Sequence, residues 1–204
     1  MPPTAFTSID LGHAYGKVAA LHSLDLDVPR GRIGLVGANG AGKSTLIKIL
    51  LGIIEQTTGT ATVLDMDNRR QTISIRSVVG YMPEGACLPL DQTAADFMVY
   101  SAGTAGLPGS AARQRASDVL TLVGLDEERF RYIGDFSTGM KQRTKLAQAI
   151  VHDPELVFLD EPTAGLDPSG REEMLDLIAR LGSFGIDVVV SSHVLRDIER
   201  TCDW

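Results

Sequence analysis

The chain has 204 residues, enough for one domain that buries a core without disulfide or metal staples. Hydrophobic residues make up 44% and charged residues 22%, as in an ordinary globular protein. The net charge of -7 argues against a surface that grips nucleic acid by neutralising phosphates, while leaving room for a small local nucleotide site.

The first residues, Met1 to Thr7, lack the basic and apolar stretches of a signal peptide. Phe6 to Leu11 and Leu21 to Val28 read as short strands. The alternation in Leu24-Asp25-Leu26-Asp27-Val28 predicts an antiparallel sheet with one buried face. Ile33 to Val36 is a short apolar run of the kind buried on both faces of a parallel sheet. It runs into a glycine-rich loop, then a helix with the stripe Leu46, Ile49, Leu50. From about residue 85 to 135 the strand signal vanishes. The longest uncharged run, Phe97 to Ala112, is broken by Gly103, Gly106, Pro108 and Gly109, so it cannot span a bilayer.

After a loop at Leu107 to Ser110, the residues Ala116, Val119, Leu120 and Val123 follow helical spacing. This predicts a helical sub-domain inserted between two strands. Arg113, Arg115, Arg129 and Arg131, interleaved with acids, read as a solvated face. Leu156 to Leu159 and Val188 to Val190 are further candidates for buried parallel strands. Between them a helix starts with Asp167 as N-cap and Pro168 as first residue, and carries the stripe Met174, Leu177, Ile178, Leu181. Strands alternating with helices define an α/β fold. Trp204 is expected to fray. Cys87 and Cys202 lack metal-ligand spacing and read as free thiols. His13, His22 and His152 have no partner pattern and read as surface or structural residues.

Two local patterns carry chemistry. Gly37-Ala38-Asn39-Gly40-Ala41-Gly42-Lys43-Ser44 fits the phosphate-binding pattern G-x4-G-K-[ST]. Its glycines let backbone N–H groups turn around phosphate oxygens, and the loop opens a helix whose first amides and dipole favour anions. Lys43 is expected to reach the β- and γ-phosphates and Ser44 to coordinate Mg²⁺. Gly37, Asn39, Gly40, Ala41, Gly42 and Thr45 are the other candidate nucleotide-binding residues of this segment. Downstream, Asp160 and Glu161 end the apolar strand at 156–159, where carboxylates project into the crevice of an α/β sheet. Asp160 is a candidate for the Mg²⁺ shell through water, and Glu161 for a general base acting on the attacking water. Two acids by themselves are also an ordinary polar strand end; the phosphate loop is what favours the site.

Taken together, the chain resembles the ATP-binding cassette (ABC) ATPases from about Phe6 to its last residue. Residues 37–44 match the Walker A motif and residues 156–161 Walker B. Phe136-Ser137-Thr138-Gly139-Met140 looks like the signature motif, usually Leu-Ser-Gly-Gly-Gln. Ala164-Gly165-Leu166-Asp167 looks like the D-loop, and His193 like the switch histidine. Tyr15 matches the aromatic that stacks on adenine. Glu84, in Tyr81-Met82-Pro83-Glu84, stands where the family usually has the Q-loop glutamine, and its carboxylate is a candidate for contact with Mg²⁺ or its water.

The resemblance implies a P-loop NTPase fold: a mostly parallel sheet core, a flanking antiparallel sub-domain and an inserted helical one, all in one ABC ATPase domain over residues 1–204. It implies ATP and Mg²⁺ as ligands. It also implies a head-to-tail homodimer, or a paired cassette, in which Ser137 and Gly139 contact the ATP held by the partner. The serine and second glycine of the signature are retained, while Thr138 and Met140 depart from it. The sequence around Glu84 resembles the ABC-2-type exporters, whose ATPase is a separate polypeptide. The expectation is therefore a hydrolase with Glu161, His193 and Lys43 as catalytic residues, peripheral on the cytoplasmic face of a membrane and powering a separate permease. A soluble ABC ATPase acting on the ribosome or DNA is the alternative. Such relatives usually carry two cassettes or a long coiled-coil insertion, and this chain has neither. Relatives continue past residue 204 with further strands, so the chain reads as truncated at its C-terminus.

Overall fold

The computed structural model describes residues 3–204. A hairpin of β1 (Thr4–Tyr15) and β2 (Val18–Pro29) turns at Gly16, whose φ of 61° is left-handed. Two shorter strands, β4 (Thr58–Val63) and β5 (Met66–Asp67), complete an antiparallel sheet of order β2-β1-β4-β5. On β2 the alternation is as the sequence implies: Leu24, Leu26 and Val28 turn inward while Asp25 and Asp27 are exposed.

The second sheet is wholly parallel. Its order is β3-β8-β7-β6, from β3 (Arg32–Val36), β6 (Val79–Met82), β7 (Leu156–Asp160) and β8 (Asp187–Ser192). Every residue of β7 is buried, as expected for a central strand covered on both faces. The expectation for β3 is corrected: Leu35 is half-buried and Val36 is 51% exposed. Among the described residues, only β8 pairs with β3 as a strand, and the other edge of β3 is bonded near residues 203–204. There Asp203 N–H donates to Arg32 O at 2.8 Å and Gly34 N–H to Trp204 O at 2.8 Å. Trp204 is thus held by its backbone rather than frayed.

Helix α1 (Lys43–Leu50) buries Leu46, Ile47, Ile49 and Leu50 between the two sheets. Phe6 and Phe158 meet across the same core with ring centroids 6.0 Å apart. A second core lies on the other face of the parallel sheet. Helices α3 (Ala94–Thr104), α4 (Gly109–Leu122), α5 (Thr138–Ile150) and α6 (Pro168–Leu181) supply it. The helical stripe 116, 119, 120, 123 is buried there. Pro108 is the N-cap of α4, so the loop expected at 107–110 already begins a helix at Gly109. On α6 the stripe holds: Met174, Ile178 and Leu181 are buried in this core and Leu177, half-buried, packs against it, while Leu175 is buried as well. The short helix α2 (Thr72–Val78) leads into β6, and α7 (Leu195–Thr201) packs against β3, with Ile198 beside Gly34.

Two of the arginines expected to be solvated are structural. Arg115 donates to the carbonyls of Val151 (2.9 Å) and Ile150 (3.0 Å), closing the C-terminus of α5. Arg129 donates to the Ser117 hydroxyl at 2.8 Å.

Strand β6 escapes a pattern reading because it is four residues long and contains Gly80. That glycine lets α5 press on the sheet: a Cβ at Gly80 would run into the backbone carbonyl of Ala149. Backbone cannot rotate away as a side chain can. Gly80→Ala is expected to destabilise the fold by about 1–3 kcal/mol through overpacking. A denaturant melt with an unchanged midpoint would contradict this close approach.

Candidate functional site

Strand β3 delivers the phosphate-type loop and α1 receives it. Gly40 and Gly42 have φ of 83° and 90°, a region that side chains rarely tolerate. At Gly42 a Cβ would also come within 2.6 Å of Ala20 O. The Ala41 N–H closes back on Ala38 O at 3.1 Å, and the first helical bond is Leu46 N–H to Gly42 O at 2.9 Å. The amides of Gly42, Lys43, Ser44 and Thr45 therefore have no acceptor within the helix, and they line a cleft of about 480 Å³. Asn39, Gly40, Ala41, Tyr15, Ala20, Glu84 and Glu161 complete its lining.

Tyr15 comes to this cleft from the end of β1, 52% exposed, with His13 packed edge-on at 4.5 Å between ring centroids. A flat, accessible aromatic at the rim of a phosphate-type loop is suited to stacking on a nucleobase. Ala20 carried no signal in the sequence; it lines the cleft because β2 passes beside Gly42.

The two acids at the end of β7 diverge. Glu161 has a φ of 49°, left-handed for a non-glycine residue, so the chain turns sharply off the strand there. Its backbone is pinned on both sides, by Glu161 N–H to Ser191 O and by Ala164 N–H to Glu161 O, each 3.0 Å. The Glu161 side chain is buried at the floor of the cleft. Its Oε2 lies 2.8 Å from His193 Nδ1. Its Oε1 lies 3.4 Å from Lys43 Nζ, close enough for charge attraction, yet no donor is aligned on it. Lys43 Nζ donates instead to Gly37 O at 2.7 Å. Gly37 and His193 thus stand one contact behind the lining rather than on it.

Asp160 is 2% exposed, accepts a hydrogen bond from the Ser191 hydroxyl and does not line the cleft. The sequence reading placed Asp160 and Glu161 in one crevice; the turn at Glu161 sends only Glu161 into it directly. Ser191, on β8, holds the Asp160 carboxylate, and the paired serines before His193 were its only signal in the sequence.

Ser44 and Glu84 offer hard oxygen donors at the cleft, with Asp160 behind, and the unmatched buried Oε1 of Glu161 calls for a donor such as bound water. This set fits Mg²⁺. Among the described residues, no cluster of three or more His, Cys, Asp or Glu forms a protein cage for a metal. The donors available are therefore separate oxygens around the phosphate position.

Ser137 and Gly139 lie elsewhere. Ser137 caps α5, its Oγ accepting from Met140 N–H at 3.2 Å. With Gly139, Gly165 and Asp167 it borders a second cleft of about 400 Å³ that shares no lining residue with the first. Two links run from α5 toward the nucleotide-type site. Gln142 donates to Ala164 O at 3.0 Å, and Lys145 donates to the carbonyls of Pro83 and Glu84. Neither residue was singled out by its sequence pattern. His152, read as surface or structural, is half-buried beside β6, and burial lowers its pKa.

Comparison with known proteins points the same way. A sequence profile of the family described as ABC transporter matches residues 21–164. An uncharacterised ABC transporter ATP-binding protein of Nostoc is 41% identical over 92% of this chain and 56% of its own length. The bacitracin transport ATP-binding protein of Bacillus licheniformis is 37% identical over 98% of this chain and 65% of its own length. The chain therefore spans less than two thirds of these relatives. A solved structure described as part of an ABC transporter complex from Clostridium perfringens superposes with a TM-score of 0.86 at 25% identity, covering 98% of this chain and 83% of that one.

Removing the ammonium tests the cleft. Lys43→Ala is expected to abolish the rise in melting temperature produced by ATP; a full shift retained in the mutant would place the phosphates elsewhere. Tyr15→Phe is expected to bind ATP nearly as the wild type does, and Tyr15→Ala to bind more weakly by about 1–3 kcal/mol. Equal affinities for the wild type and the alanine variant, measured by titration calorimetry, would rule out stacking.

Proposed function

The chain belongs to the ABC transporter family of ATP-binding proteins, and from that premise we propose that it binds and hydrolyses ATP to power a separate membrane permease. The observation that carries the reading is the placement of Glu161. It is buried between Lys43 and His193 at the floor of a cleft built from helix-start amides.

The residues divide the work. The amides of Gly40 to Thr45 and the Lys43 ammonium hold the phosphates, with Lys43 exchanging Gly37 O and Glu161 for phosphate oxygens. Ser44, and Glu84 and Asp160 through water, would hold Mg²⁺, which would supply positive charge against the phosphates. His193 fixes Oε2 of Glu161, which leaves Oε1, the oxygen with no aligned donor, to accept the proton of the attacking water. Tyr15 stacks on the adenine.

The second cleft is read as the complement of a partner's first. Ser137 and Gly139 stand at a helix start, a good phosphate-binding geometry, yet share no lining with their own P-loop. Two chains arranged head to tail place each such helix start on the other's ATP, in an isologous dimer. Export is the direction suggested by relatives described as a Nod factor export protein and a daunorubicin/doxorubicin resistance protein, which are 36% and 32% identical. No described helix is long and apolar enough to cross a membrane; the assignment of the membrane path to a separate permease, and of this chain to its cytoplasmic face, rests on relatives described as transport and export ATP-binding proteins.

Glutamine at position 161 keeps size and polarity but cannot take a proton. Glu161→Gln is expected to slow hydrolysis by about 10²- to 10⁴-fold with ATP binding retained. Run on the full-length protein with MgATP, it is expected to elute as a dimer in size exclusion, and Ser137→Arg added to it to elute as a monomer. A double mutant that still dimerises with ATP would refute the role given to Ser137.

A further inference from the structure

Lys145 occupies a position on α5 where an apolar side chain would be ordinary. It follows Thr144 and precedes Leu146 and Ala147, all buried, and is itself 6% exposed. A buried ammonium is costly unless its protons are matched. Here Nζ donates to Pro83 O at 3.0 Å and to Glu84 O at 2.9 Å. Both acceptors are backbone, so the contact fixes where the loop after β6 runs rather than which side chains it carries. Glu84, the second of the two, lines the nucleotide cleft. At the N-terminal end of the same helix, two turns earlier, Ser137 is the N-cap. Gln142, between them, holds Ala164 O in the segment that leaves Glu161.

From this geometry we infer that Lys145 is a positioning residue for Glu84, clamping residues 83–84 to α5 so that the Glu84 carboxylate stays at the cleft and moves with the helix that presents Ser137. The inference rests on the reading of the cleft as an ATP site. A loop anchored only to the sheet would let Glu84 drift as α5 shifts. The clamp makes the two move as one body, which couples the chain's own ATP to the surface offered to a partner. Misplacing an active-site group by about 1 Å can cost on the order of a hundredfold in rate, so a contact remote from the reacting atoms can still control turnover.

The test uses the full-length protein. K145M keeps the aliphatic stem without donors. K145Q is polar but too short to reach both carbonyls. K145R keeps a cation that can reach them. Turnover by K145M and K145Q is expected to fall by about tenfold or more. Affinity for ATP without Mg²⁺ is expected to change by less than about threefold, because the contacts of residues 40–45 are untouched. K145R is expected to recover most of the rate. Hydrogen exchange at the amides of residues 84–86 is expected to quicken in K145M and not in K145R.

Because Lys145 acts through Glu84, K145M added to E84Q is expected to cost little beyond E84Q alone, a non-additive cycle. K145M with wild-type turnover, rates that simply multiply in the double mutant, or unchanged exchange at 84–86 would each overturn the inference. If the wild type turns over ATP and K145M does so equally well, only the role of Lys145 falls. A wild type without ATP turnover instead sinks the reading of the site.

Discussion

A carboxylate inside a protein must be paired, and Glu161, with a side chain 6% exposed, is paired twice: with Lys43 from the P-loop and with His193 from the end of β8. The three come from separate parts of the chain, and the parallel sheet is what brings them together. Strands β3, β8 and β7 are adjacent and point the same way, so the loops at their C-terminal ends meet on one edge. The left-handed backbone at Glu161 then decides which carboxylate enters the cleft. The strain is localised to one residue and held by hydrogen bonds on both sides of it.

The second organising element is α5. Its N-terminus offers Ser137, its middle holds the loops after β6 and β7 through Lys145 and Gln142, and its C-terminal carbonyls are closed by Arg115 from α4. Gly80 lets it lie close against β6. A helix tied at three levels by polar contacts, and packed by Leu146, Ala147 and Ile150, is well placed to shift as a rigid strut rather than to bend. Ser137 at its start borders the second cleft, while Lys145 and Gln142 in its middle hold loops that line or adjoin the first.

The two cores divide the labour. One, around Phe6, Phe158 and α1, stabilises the P-loop by burying the helix that follows it. The other, beneath α3, α4 and α6, carries the helices that surround α5. The sheet separates them, so α1 is packed on one face and α5 on the other.

What the sequence by itself determined is local. The glycines and lysine of residues 37–44 and the apolar strand before them specify a loop geometry within a few consecutive residues, which is why that motif was legible. The burial of β7 and β8 and the Asp167 cap on α6 were legible for the same reason, since each follows from short-range spacing or from composition. The order of motifs added Tyr15, Ser137 and His193 through resemblance to a family. Only the tertiary structure decided that Asp160 bonds to Ser191 while Glu161 lines the cleft, that Leu175 is buried beside the apolar stripe of α6, and that Ala20 lines the site. It alone gave Lys145 a role, because the carbonyls it holds lie 61 and 62 positions away and are backbone atoms, common to every residue. Periodicity records which side of an element is apolar; it carries no record of which distant backbone that side will meet.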